Sequence, residues 1–145
     1  MSTASRPVRW GRRLVPVAVA AAVLVASVSE PSGGPPAPPV LGVSADKLLH
    51  GAAYATLAAA VALGLATPRG DGTPAGPVPP SGPTRRRVVG LAIGVAAVYG
   101  VVMEGLQGPL PYRTFDLLDA VANAVGAAIG AGAWTVGATL RDRVS

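Results

Sequence analysis

Asp46, Lys47, His50 and Tyr54 stand within one short stretch that holds the only lysine and the only histidine of the chain. At about 100° per residue, Asp46, His50 and Tyr54 fall on one side of a helix, with Lys47 at its edge. An imidazole among carboxylates has the parts of a general base with an acid or orienting partner. Two further groups share this chemical character. Glu104 and Gln107 lie three residues apart, and Arg113, Asp116, Asp119 and Asn123 follow at spacings of three and four. Gln107 and Asn123 are the only residues of their kind in the chain.

The elements that carry these groups are hydrophobic. Half of the 145 residues are apolar and only 13% are charged, too few to cover a water-soluble domain of this size. The apolar residues form long blocks instead of an amphipathic repeat, as expected of membrane spans. The net charge of +5 does not point to nucleic acid, because the arginines flank apolar blocks and form no patch interleaved with aromatic residues. With no cysteine, thiolate catalysis and Cys-zinc sites are excluded.

The expected fold is all-α: an integral membrane bundle of four transmembrane helices. Residues 1–13 form a basic N-terminus, and 14–28 a first span or, alternatively, the apolar core of a signal segment with small residues near a cleavage site. The Pro/Gly-rich stretch 29–45 is a loop. A membrane domain over 46–140 contains spans at 47–66, 88–107 and 117–140, with a mobile Pro/Gly-rich loop at 67–84, and 141–145 is a short tail. Of the 12 basic residues, only Lys47 and Arg113 fall in the 29–47 and 108–116 loops. The positive-inside rule therefore places both termini in the cytoplasm and those two loops outside. Gly90 with Gly94, and Gly126 with Gly130, are GxxxG pairs that either let helices approach closely or reflect glycine-rich composition.

On this topology the candidate residues meet in one outer layer. Asp46, Lys47, His50 and Tyr54 open the second span, Glu104 and Gln107 close the third, and Arg113, Asp116, Asp119 and Asn123 begin the fourth. Each has an ordinary structural reading. Asp46 and Asp116 suit helix N-termini, Lys47 and Arg113 suit interfacial anchors, and Asn123 suits a helix–helix hydrogen bond. Their convergence favours a functional cluster, because polar groups at a membrane boundary are costly. Four carboxylates (Asp46, Glu104, Asp116, Asp119) against Lys47 and Arg113 leave an excess of negative charge, to be met by a bound proton or by a protonated His50.

The pattern Asp46-Lys47-x-x-His50-x-x-x-Tyr54, then Glu104-x-x-Gln107, then Arg113-x-x-Asp116-x-x-Asp119-x-x-x-Asn123-x-x-Gly126 resembles the VanZ-like family. The resemblance covers about 46–133. It implies a small multi-helix membrane protein, with founding members associated with resistance to the glycopeptide teicoplanin. The long 67–84 loop and the Ala/Gly-rich spans depart from the family, but neither touches the polar motifs.

Two functions are compatible with this layer. One is a binding module for a cell-envelope precursor, a lipid headgroup or a glycopeptide, with a role in antibiotic or envelope-stress resistance. The alternative is a membrane-embedded acid/base enzyme on a lipid-linked envelope substrate, with His50 as base and Glu104 or Asp119 as acid or orienting carboxylate. No serine or cysteine nucleophile accompanies them, so a covalent route would need a carboxylate. A metal site from His50 and carboxylates is a third reading, which a lone histidine without HExxH spacing supports weakly; no metal and no cofactor is assigned. The expected partners are membrane lipids and an envelope or glycopeptide ligand, with no nucleic acid.

Overall fold

The computed structural model describes residues 6–30, 37–66, 83–112 and 116–144. Four helices run in chain order: α1 (Arg6–Val28), α2 (Ala45–Leu65), α3 (Arg85–Gln107) and α4 (Leu117–Val144). Each is long and apolar enough to cross a bilayer core of about 30 Å, and the chain is a multi-pass integral membrane protein. Four helices are found, as expected, and several ends differ from the expected bounds. The α1 helix begins at Arg6 and not at 14, so much of the basic N-terminal stretch is helical. The α3 helix takes in Arg85 to Arg87, and α4 continues past Leu140 to Val144. The expected loop at 67–84 falls largely outside the described residues, as do Pro31 to Pro36 and Arg113.

Packing follows from residue size. The interior is built from Ala58, Ala62, Ala92, Ala96, Ala127 and Ala131, with Leu57 and Val88 as the largest fully buried side chains. Larger apolar residues such as Leu49, Leu91, Val98, Val101, Val121 and Ile129 point outwards. Small residues inside and bulky ones outside is the arrangement a lipid solvent permits, since close backbone approach, not apolar burial, drives helix association there.

α2 is the hub. It packs against all three other helices, most extensively against α4, whereas α1 and α4 do not meet among the described residues. The two glycine pairs have different fates. A Cβ at Gly126 would overlap the Gly51 carbonyl, and one at Gly130 the Ala55 carbonyl, so α4 lies backbone to backbone on α2. Both contacts join residues 75 positions apart, which makes α2 and α4 parallel neighbours in fixed register. Gly90 and Gly94 have nothing within 4 Å of a built Cβ, so the α3 GxxxG mediates no contact among the described residues.

Pro16 sits inside α1. Having no N–H, it leaves the Arg12 carbonyl without its helical donor. Gly64 of α2 packs onto both, its built Cβ coming 3.3 Å from Pro16 Cγ and 3.4 Å from the Arg12 carbonyl oxygen. At the same end of the bundle, Arg85 donates to Thr139 Oγ1 and Asp142 Oδ2, both at 2.7 Å, and ties α3 to α4. At the opposite end the loop before α2 folds into a tight turn, in which Val40 and Val43 exchange backbone hydrogen bonds of 2.9 and 3.0 Å. Leu41 and Gly42 both have positive φ (53° and 78°), as a type I′ turn requires, and Leu41 at its tip is 98% exposed.

Candidate functional site

α2 and α4 are parallel, so their N-termini meet at one end, and the α3 C-terminus arrives there too. Two helix N-termini carry partial positive charge and favour carboxylates nearby. Asp116 immediately precedes α4 and caps it, its Oδ1 accepting the Leu118 amide at 2.8 Å. Its other oxygen, Oδ2, accepts from Lys47 Nζ at 2.6 Å. Lys47 also donates to Asp119 Oδ1 at 2.8 Å, in the first turn of α4. One ammonium thus bridges two carboxylates across the α2–α4 seam. The pairing with Lys47 and the Leu118 amide hold the Asp116 carboxyl below the usual aspartate range.

One turn further along α2, His50 Nδ1 lies 3.2 Å from Asn123 Oδ1. A carbonyl oxygen can only accept, so Nδ1 carries a proton, and in the neutral ring Nε2 keeps its lone pair. Nε2 lies 3.8 Å from Asp46 Oδ1. Asp46, His50 and Tyr54 do share one side of α2, but Lys47, expected at its edge, makes the closer contacts. Lys47 faces the α4 carboxylates, and the Asp46 side chain, 56% exposed, is the one at the rim.

Beneath this pair Tyr54 is buried against Tyr99, with ring centroids 6.4 Å apart, and the Tyr99 hydroxyl donates to the Ala20 carbonyl at 2.6 Å. Gly100 makes this floor possible: a Cβ there would come 3.2 Å from the Tyr54 ring and 3.4 Å from Asn123 Nδ2. Tyr99 and Gly100 were not singled out in the sequence; the only signal was the placement of Gly100 one helical turn before Glu104. Gln107 belongs to a different contact. Its Nε2 donates to the Ser27 carbonyl at 2.9 Å and fastens α3 to the end of α1, as the Tyr112 hydroxyl does through Val28 at 2.8 Å.

Glu104 is the outlier. It is only 7% exposed, and its carboxyl, which keeps some contact with solvent, has no hydrogen bond or ion pair among the described residues. Asp119, His50, Asp116 and Asp46 are the ionisable groups whose fields reach it. Three of those neighbours, Asp46, His50 and Asp119, present donor atoms that all lie within 4.8 Å of one another. Of the ten residues expected to form the site, Asp46, Lys47, His50, Asp116, Asp119 and Asn123 are joined directly, Glu104 lies at the same end of the bundle and Tyr54 floors them. Gln107 ties helices, and Arg113 lies outside the described residues.

The arrangement is a buried, mostly acidic polar layer open to one end of a membrane bundle. No family profile, no curated protein and no solved structure matches this chain.

Proposed function

We propose that this layer binds a polar ligand of the cell envelope: a lipid-linked precursor, a lipid headgroup or a glycopeptide. The observation that carries the reading is the convergence of Lys47, His50, Asp116, Asp119 and Asn123 across the α2–α4 seam, at the end of the bundle where Glu104 of α3 is only 7% exposed and its carboxyl has no partner among the described residues. Burying an acid without a hydrogen bond costs free energy, and such a cost is tolerated where a ligand recovers it. The basic residues flanking the other end of the bundle support an outward-facing layer with both termini in the cytoplasm. The resemblance of these motifs to the VanZ-like family supports an envelope role, with antibiotic or envelope-stress resistance as the physiological setting. A second reading, acid/base chemistry on a lipid-linked substrate, is favoured by one observation: Asn123 fixes the His50 tautomer that leaves Nε2 able to accept a proton.

Native mass spectrometry of the detergent-purified protein with envelope precursors, headgroup analogues and teicoplanin tests the binding reading. His50→Ala and Glu104→Gln are expected to abolish the bound species while accumulating like the wild type. Failure of both variants to accumulate would assign these residues to packing. Turnover of a lipid-linked precursor would favour the enzymatic reading.

A further inference from the structure

Asp46, His50 and Asp119 come from two helices, yet one donor atom of each lies within a 4.8 Å span. Bonds of about 2.0–2.2 Å to a common ion put opposed donors no more than about 4.4 Å apart, so a small rotation of a flexible side chain closes the set. Asp46 can supply that rotation, since it is exposed in the first turn of α2, one turn from His50. His50 is already oriented as a ligand. Its Nδ1–H is held by the Asn123 carbonyl oxygen, leaving the Nε2 lone pair towards Asp46. A hydrogen bond from the other ring nitrogen is the usual second support of a metal-bound histidine. Asp119 gives Oδ1 to Lys47 and retains Oδ2.

An independent observation points to a cation. Glu104, on a third helix, is only 7% exposed, its carboxyl has no hydrogen bond or ion pair among the described residues, and it lies within the field of Asp119 and His50. Charge points the same way. Among the described residues, Asp46, Glu104, Asp116 and Asp119 bring four carboxylates to this end and Lys47 one ammonium. A dication reduces that excess. We propose that Asp46, His50 and Asp119, with Glu104 behind them, form a site for a divalent first-row transition metal. One imidazole nitrogen and several carboxylate oxygens suit Zn²⁺ or Mn²⁺ better than Mg²⁺ or Ca²⁺, which take oxygen ligands alone. The inference rests on the reading of this layer as a binding site and names a cation as one of its ligands.

The test uses the full chain, purified in detergent and stripped with EDTA, and titrated with Zn²⁺ alone by calorimetry. The expected result is one Zn²⁺ per chain, binding weakened at least tenfold by Asp46→Asn and by His50→Gln and unchanged by Glu30→Gln on the neighbouring loop. Asp46→Asn is the decisive variant, because an exposed first-turn residue can lose its charge without loss of the fold. Zn²⁺ should also raise the melting temperature of the wild type but not of Asp46→Asn. No saturable Zn²⁺ binding, or binding indifferent to both substitutions, overturns the metal site. Envelope-ligand binding that persists in EDTA, in protein that takes up no Zn²⁺, overturns the metal site alone. Site-specific Zn²⁺ binding with no envelope ligand upholds it and removes the envelope-ligand reading.

Discussion

Lys47 stands in the first turn of α2, where the helix dipole disfavours a positive charge, and two α4 carboxylates offset that cost. Lys47→Met leaves Asp116 and Asp119 facing each other without a cation. The melting temperature in detergent should fall, Lys47→Arg should restore part of it, and so should adding Asp119→Asn to Lys47→Met. Asp116 adds a pH dependence with a definite sign. Its carboxyl is held below the usual range by Lys47 and the Leu118 amide, so the folded chain binds this proton less readily than the unfolded chain does. The stabilisation is complete above the ordinary aspartate value of about 3.9 and is lost as pH falls through the lowered one. Melting curves from about pH 6 to about pH 3 should show a decline that Asp116→Asn lessens, with little difference between the two proteins at neutral pH. The identities of these residues were legible in the sequence because Lys47, His50 and Asn123 are each the sole residue of their type. Their pairing was not, because helical periodicity places a residue on its own helix and says nothing of the rotation of the helix opposite. Lys47 looked peripheral beside Asp46, His50 and Tyr54 for that reason.

The helices were legible as hydrophobic blocks, and the start of α4 at Leu117 follows directly from the break at Pro109 and Pro111. What pattern alone could not decide was which small-residue pair makes contact. Gly90/Gly94 and Gly126/Gly130 have the same spacing, yet only the second touches another backbone. Gly126→Ala should destabilise the bundle by about 1–3 kcal/mol through overpacking, and Gly130→Ala similarly. Gly90→Ala and Gly94→Ala meet open space and should be neutral or stabilising by up to about 1 kcal/mol, since alanine is the better helix former. Unfolding in mixed detergent micelles, followed by helical circular dichroism, ranks the four variants. Equal costs at all four positions would contradict the α2–α4 contact described above.

At the scale of the whole molecule, Asp46, Glu104, Asp116 and Asp119 gather at one end of the bundle and Arg85 to Arg87, Arg141 and Arg143 at the other, and the positive-inside rule predicts the membrane orientation from that asymmetry. The natural absence of cysteine makes single-cysteine labelling clean. With both termini in the cytoplasm, Leu41→Cys at the exposed turn should react with an impermeant maleimide on intact cells. Arg143→Cys near the end of α4 should react only after permeabilisation. The opposite pattern would turn the polar layer inward. The parallel α2–α4 seam also has a consequence for biosynthesis. The helices that share the layer are not consecutive, because all of α3 and its flanking loops are made between them. When α2 leaves the ribosome, Lys47 lacks Asp116 and Asp119, and His50 lacks Asn123; those partners come only with α4. A nascent chain halted before α4 therefore has an ammonium without its carboxylates at the membrane boundary, where such a group is costly. Cells that remove unfinished membrane proteins could recognise that exposed charge, so truncations ending before Asp116 should be degraded much faster than the full chain.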